Sequence, residues 1–174
     1  MNNPFSAQNR QGFTLIEVLV VMVLISIIIT FAVLSVDTGP EDLRREGARL
    51  ASLLDLASEN AVFNGRDYRV LLQSQGYSFE EFRDSKWQLS GDELLKPRTL
   101  PDNMRMELTL ENEPVGLPAG SQPTPQNSAD LLLLSSGEIP SFELNISAQG
   151  NGKFVIREDK GRIVSGAPED ENTD

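Results

Sequence analysis

From Val18 to Val36 the chain runs for nineteen residues without a charge, as VLVVMVLISIIITFAVLSV. Only Ser26, Thr30 and Ser35 interrupt it with polar groups, and such hydroxyls can donate to a carbonyl of their own helix. At roughly 1.5 Å per residue the run spans about 28 Å, the thickness of a bilayer's hydrocarbon core. Phe13 to Ile16 lengthen it. The run is too long and too pure for the buried core helix of a soluble domain. The period then changes. After Asp37-Thr38-Gly39-Pro40, apolar or small residues recur in steps of three and four at Leu43, Gly47, Leu50, Leu54, Ala57 and Ala61. Arg44, Arg45, Arg49, Asp55 and Glu59 lie off that stripe. This predicts an amphipathic helix packed on the protein's own sheet. Pro40 suits its first turn, Asp37 or Thr38 its cap, and Asn64-Gly65 its end. Together the two segments predict one long, bent helix over 13 to about 63, its first half in lipid and its second on a globular domain.

Beyond Gly65 the pattern shortens to strands. Tyr68 to Gln73 and Tyr77 to Phe82 flank Ser74-Gln75-Gly76 as a hairpin, and Trp87-Gln88-Leu89 forms a short strand. Met104, Met106, Leu108 and Leu110 alternate with Arg105, Glu107 and Thr109, the clearest period of two in the chain. The four leucines Leu131 to Leu134 predict a buried strand. Phe142, Leu144 and Ile146 alternate with Glu143 and Asn145, and Lys153 to Arg157 pairs with Arg162 to Val164 around Asp159-Lys160-Gly161. Asn112 to Ser128 holds Pro114, Pro118, Pro123 and Pro125 and predicts a long, mobile loop. The acidic stretch after Ala167 is expected to be disordered.

Composition narrows the chemistry. The 174 residues include no cysteine and no histidine, and 15 Lys+Arg stand against 26 Asp+Glu, a net charge of −11. That removes disulfides, cysteine or histidine metal sites, a thiol nucleophile and a histidine base. A nucleic-acid partner is disfavoured, because phosphate binding needs a basic face. A membrane-anchored enzyme is the competing class. Glu80-Glu81 and Ser135-Ser136 supply acids and hydroxyls, but they are expected to be exposed strand and loop residues. There is no G-x-S-x-G turn, no histidine to activate a serine, and no G-x-x-x-x-G-K-[ST] for nucleotide. Glu169-Asp170-Glu171-Asn172 lacks the loop glycine of a calcium site. No catalytic residue, metal or cofactor is expected.

The flanks decide what the apolar run is for. A cleaved secretory signal has a shorter apolar core and a small-residue cleavage site, and Ser35-Val36-Asp37 offers none. Arg10 precedes the run, and Asp37, Glu41 and Asp42 follow it. Positive flanks stay cytoplasmic, so the N-terminus is expected inside and the bulk of the chain across the membrane. One residue resists this simple anchor: Glu17, a carboxylate at the edge of lipid, is costly there unless partnered.

Its surroundings, Gly12-Phe13-Thr14-Leu15-Ile16-Glu17, resemble the class III signal of type IV pilins and of the pseudopilins of type II secretion. The resemblance implies cleavage after Gly12 by a prepilin peptidase and N-methylation of Phe13. It makes Glu17 the fifth residue of the mature chain. A new ammonium at Phe13 lies about one helical turn from Glu17. The family is thought to pair this carboxylate with the terminus of a neighbouring subunit, which would set axial register during assembly.

Further along, Tyr77, Phe79 and Trp87-Gln88-Leu89, then Arg98-Thr99-Leu100-Pro101, then Ser136-Gly137-Glu138 and Pro140-Ser141-Phe142, resemble the H-type minor pseudopilins. The fold implied is α+β and pilin-like: a long N-terminal helix, transmembrane in its first half, on an antiparallel sheet or small β-sandwich. The expected division is a leader over 1–12, a transmembrane helix over 13–36, its periplasmic continuation over 37–66, a β-rich domain over 67–166 and a disordered acidic tail over 167–174. Pilins of this kind often carry a helix-kinking proline within the membrane part; here the kink is expected at Gly39-Pro40. The function implied is a structural subunit of the periplasmic pseudopilus, exporting folded proteins across the outer membrane. The implied partners are the major G-type and minor I, J and K-type pseudopilins, the prepilin peptidase, the inner-membrane assembly platform and the bilayer. A cytoplasmic ATPase would supply the work. A minor type IV pilin of pilus assembly, twitching or DNA uptake is the alternative, and the lack of cysteine tilts against it.

Overall fold

Residues 15–34, 39–148 and 152–166 are described by the structure, a computed structural model. The chain falls into two units, Met1–Asp37 and Thr38–Asp174. The first contains helix α1, Leu15–Leu34, and the second begins with helix α2, Gly39–Asn64. The single helix expected over 13 to about 63 falls partly on residues 13–14 and 35–38, outside the described residues, as do the caps proposed at Asp37 and Thr38. The leader and the acidic tail lie outside them as well.

The second helix follows its stripe. Pro40 sits in its first turn, where a missing N–H costs nothing. Leu43, Leu50, Leu54, Ala57 and Ala61 are buried, and Leu53 and Ala51 widen the apolar face. Gly65 closes the helix with φ 62°, and the Arg66 N–H donates to the Ala61 carbonyl at 3.1 Å. That left-handed residue is the one a helix end after Asn64 requires.

Among the described residues ten strands build two antiparallel sheets. The first, ordered β3-β2-β1-β7 with β4 beside β2, contains β1 Tyr68–Gln73, β2 Gly76–Arg83, β3 Lys86–Leu89, β4 Arg98–Thr99 and β7 Ala129–Leu133. The second, ordered β10-β9-β8-β5-β6, contains β5 Met104–Leu110, β6 Glu113–Val115, β8 Phe142–Ala148, β9 Lys153–Asp159 and β10 Arg162–Gly166. Helix α2 packs against strands of both sheets, mostly β8, β9 and β10. One core joins them: Leu50, Leu54 and Ala57 from the helix, Val70, Phe79 and Leu131 from the first sheet, and Met104, Leu144 and Ile156 from the second. Paired two-residue turns with positive φ at Asp84-Ser85, Glu111-Asn112 and Lys160-Gly161 connect β2 to β3, β5 to β6 and β9 to β10. Such turns match the twist of the strands they join.

Three expectations change. The four leucines are not a wholly buried strand: Leu131 and Leu133 are buried, Leu132 is exposed and Leu134 half-buried, because the second face of β7 looks outward. Glu80 and Glu81 are not exposed but buried, one on each face of β2. The proline-rich stretch Asn112 to Ser128 is not a free loop. Its start forms β6, and the rest is strapped to the β1–β2 turn. The Ser74 N–H donates to the Pro118 carbonyl at 3.0 Å and the Gln75 N–H to that of Gly120 at 2.9 Å. The Gln73 amide Nε2 donates to the Asn127 carbonyl at 2.9 Å, and the Thr99 hydroxyl to that of Ser121 at 3.2 Å. A β-carbon at Gly76 would collide with the Ser121 carbonyl, so glycine is what lets the strap lie flat there.

Candidate functional site

Glu17 lies in the first turn of α1, where a carboxylate also complements the helix dipole. Gly12 and Phe13 lie outside the described residues. From Leu15 to Ile25 the apolar side chains are exposed on every side of the helix rather than along one stripe. Such a surface needs an apolar surrounding, which lipid or neighbouring helices provide. The Ser26 hydroxyl donates to the Met22 carbonyl at 2.8 Å, so this polar group is satisfied within the helix. Among the described residues no helix is long and apolar enough to cross a membrane. The side chains of α1 are described only from Leu15 to Ser26.

The buried acids of the globular unit meet arginines. Glu46, buried on α2, accepts two hydrogen bonds from Arg98 of β4, at 2.6 Å from Nη2 and 2.9 Å from Nε. This fork clamps β4 to the helix. Burial pushes the adjacent Tyr77 hydroxyl up to about 12, with Arg98 opposing and Glu46 adding to the shift. On β2, Glu80 binds the Arg69 guanidinium at 2.6 Å, and Asp130 of β7 meets the same group at 3.3 Å. Glu81 faces the other way, 3.3 Å from Arg83 and 3.5 Å from both Arg66 and the Tyr68 hydroxyl. The acids that sequence placed at the surface are thus buried ion pairs. Arg69 reaches Glu80 from the neighbouring strand β1, whereas Arg83 reaches Glu81 from two residues along β2 itself and Arg66 from just before β1.

Ser135 also differs from expectation. Its N–H and its hydroxyl both donate to Asp67, each at 2.8 Å. The Ser135 N–H first, then its hydroxyl, hold the Asp67 carboxyl below the usual carboxylate range. Asp67 is therefore an ionised acceptor that fixes the turn after β7, and the serine spends its proton on it. Among the described residues no group of three or more acids could hold a metal ion.

A family model described as the prokaryotic N-terminal methylation motif matches residues 7–33, the stretch that contains Gly12, Phe13 and Glu17. Type II secretion system protein H of Pseudomonas aeruginosa is 34% identical over 150 residues, covering 80% of this chain and 84% of that one. The chain belongs to the type II secretion protein H family. Protein H of Aeromonas hydrophila is 29% identical over 158 residues, covering 85% of this chain and 86% of its own. The crystal structure of the minor pseudopilin EpsH from the type II secretion system of Vibrio cholerae shares the fold. It has a TM-score of 0.60 and 23% identity, covering 74% of this chain and 96% of its own.

A protein H is a minor pseudopilin of type II secretion: a structural subunit, not an enzyme. It interacts with other pseudopilins in the pseudopilus and is membrane-anchored with a periplasmic domain. The α+β architecture agrees with that expected from the sequence. The minor type IV pilin reading is not favoured by these relatives.

Proposed function

We propose that this protein H is cut between Gly12 and Phe13 by the prepilin peptidase, N-methylated at Phe13, and built into the pseudopilus through Glu17. The leader is 1–12, the membrane helix 13–36, its periplasmic continuation 37–66, the globular domain 67–166 and the acidic tail 167–174. The chain crosses the inner membrane once with its N-terminus in the cytoplasm. The observation that carries the reading is the methylation motif over 7–33, which brackets Gly12, Phe13 and Glu17. The uncharged run from Val18 to Val36 and the basic Arg10 before it supply the membrane crossing and its direction.

Within the filament, Glu17 pairs with an ammonium at Phe13, its own or that of the subunit alongside. Each new subunit thereby gains a register fixed to about one helical turn. The neighbours are the major G-type subunit and the minor I, J and K-type subunits, carried on the inner-membrane assembly platform. No step is catalytic: helices pack laterally, and the growing pseudopilus pushes folded proteins toward the outer membrane.

The mature protein should have the mass of residues 13–174 plus one methyl group; a full-length mass in peptidase-competent cells would defeat the processing. Deleting the gene should trap secreted enzymes in the periplasm. Undisturbed secretion would defeat the role in export.

A further inference from the structure

The outward face of the first sheet is divided. Near the β1–β2 turn the strap over 116–128 lies against it, and Leu71, Gln73 and Ser78 are buried there. Toward the other end the same face is uncovered. Phe82 stands opposite Trp87, their rings 5.3 Å apart, Glu80 stands opposite Leu89, and Arg69 opposite both Glu80 and Leu132. Phe82 is 41% exposed, Leu132 42% and Leu89 57%. At the centre the Arg69 guanidinium lies 4.7 Å from the Trp87 ring centroid, with Glu80 and Asp130 as its two carboxylate partners. The patch ends at β7, which among the described strands pairs only with β1 and leaves its other edge open.

An arginine held on a tryptophan inside an apolar rim is the composition of an interface centre rather than of a solvated sheet face. Two observations choose the occupant. The chain carries a net −11, so copies of it repel one another. Two carboxylates share one guanidinium, leaving the patch one negative charge in excess, and the Asp130 carboxylate is solvent-accessible. The complement is a cation set among apolar groups. We propose that this face, around Arg69 and Trp87, docks a pseudopilin subunit other than a copy of this chain. That subunit brings apolar side chains and a lysine or arginine that meets Asp130. The inference rests on the pseudopilin reading and adds to it the surface and the partner's chemistry.

The absence of cysteine makes the test direct. In full-length protein expressed with its secretion system, Leu89→Cys or Leu132→Cys carries the chain's single thiol. Phe63→Cys, exposed at the end of α2, is the comparison. A thiol-to-amine crosslinker should join positions 89 and 132 to a lysine of another pseudopilin, identified by mass spectrometry, and position 63 far less. Asp130→Lys should lower co-purification with the other pseudopilins about tenfold, the scale of losing one strong interface contact. Its thermal unfolding should match wild type. Equal crosslinking at 63, 89 and 132, adducts only between copies of this chain, or co-purification untouched by Asp130→Lys would overturn the surface. If wild-type protein co-purifies with no pseudopilin, the pseudopilin reading falls together with the surface. If wild type co-purifies and Asp130→Lys does so equally, only the surface falls.

Discussion

Glu17 stands alone among the acids of this chain: every other one lies at or beyond Asp37, after the apolar run. Glu17→Val should leave insertion into the membrane intact, since it removes a charge from an apolar helix. It should weaken recruitment into the filament and secretion, read by fractionation and by export of enzymes to the medium. Normal recruitment would remove the assembly role. Asp67 carries a different expectation. Hydrogen bonds from Ser135 depress its folded pKa, so it contributes stability above the ordinary aspartate value and loses it as pH falls through the folded value. Asp67→Asn should therefore be less stable than wild type by a constant margin above about pH 4, with the gap closing below it. Urea midpoints across that range would show it. At this scale the sequence was uneven. Glu17 stands out in the sequence because a carboxylate beside nineteen uncharged residues has few explanations, and its assembly role is what the Glu17→Val variant tests. The burial of Glu80 and Glu81 was not legible, because adjacent strand residues point to opposite faces and only the strand register brings Arg69 against Glu80.

Elements with a strong period were read correctly, since burial imposes that period. The stripe of α2 and the alternation of β5 reappear as buried residues on one side, while in β8 Asn145 on the other face is buried too. The strap over 116–128 has no period, and its order comes from backbone hydrogen bonds to β1–β2 that no side-chain pattern announces. Gly47 shows how close the elements approach. It belongs to the α2 stripe, and a β-carbon there would strike the Phe154 ring of β9. Helix propensity alone favours alanine at such a site by about 1 kcal/mol. The collision should dominate, so that Gly47→Ala lowers stability by about 1–3 kcal/mol. Adding Phe154→Leu should cost less than the two changes summed, a coupling that a double-mutant cycle by chemical unfolding measures. Additive losses would show that the helix does not meet β9 at this point.

Across the whole molecule the charge is arranged rather than spread. Removal of Arg10 with the leader would take the net charge from −11 to −12, with Glu17 the only acid before Asp37. An acidic domain of this kind stays apart from its own copies and selects partners of the other sign. The order of strands along the chain has a different outcome, in time rather than in space. β1 and β2 enter the first sheet, β5 and β6 enter the second, and only then does the chain return to place β7 beside β1, with Asp130 and Arg69 separated by 61 positions. It leaves again to finish the second sheet with β8, β9 and β10. Neither half can mature while the other waits. A chain ended after Ser128 should therefore lack not one strand but a cooperative transition altogether, and its amides should exchange with deuterium without lasting protection. During synthesis the early strands wait for Leu133 and the strands after it to emerge, so that this fold is completed only by the segments made last.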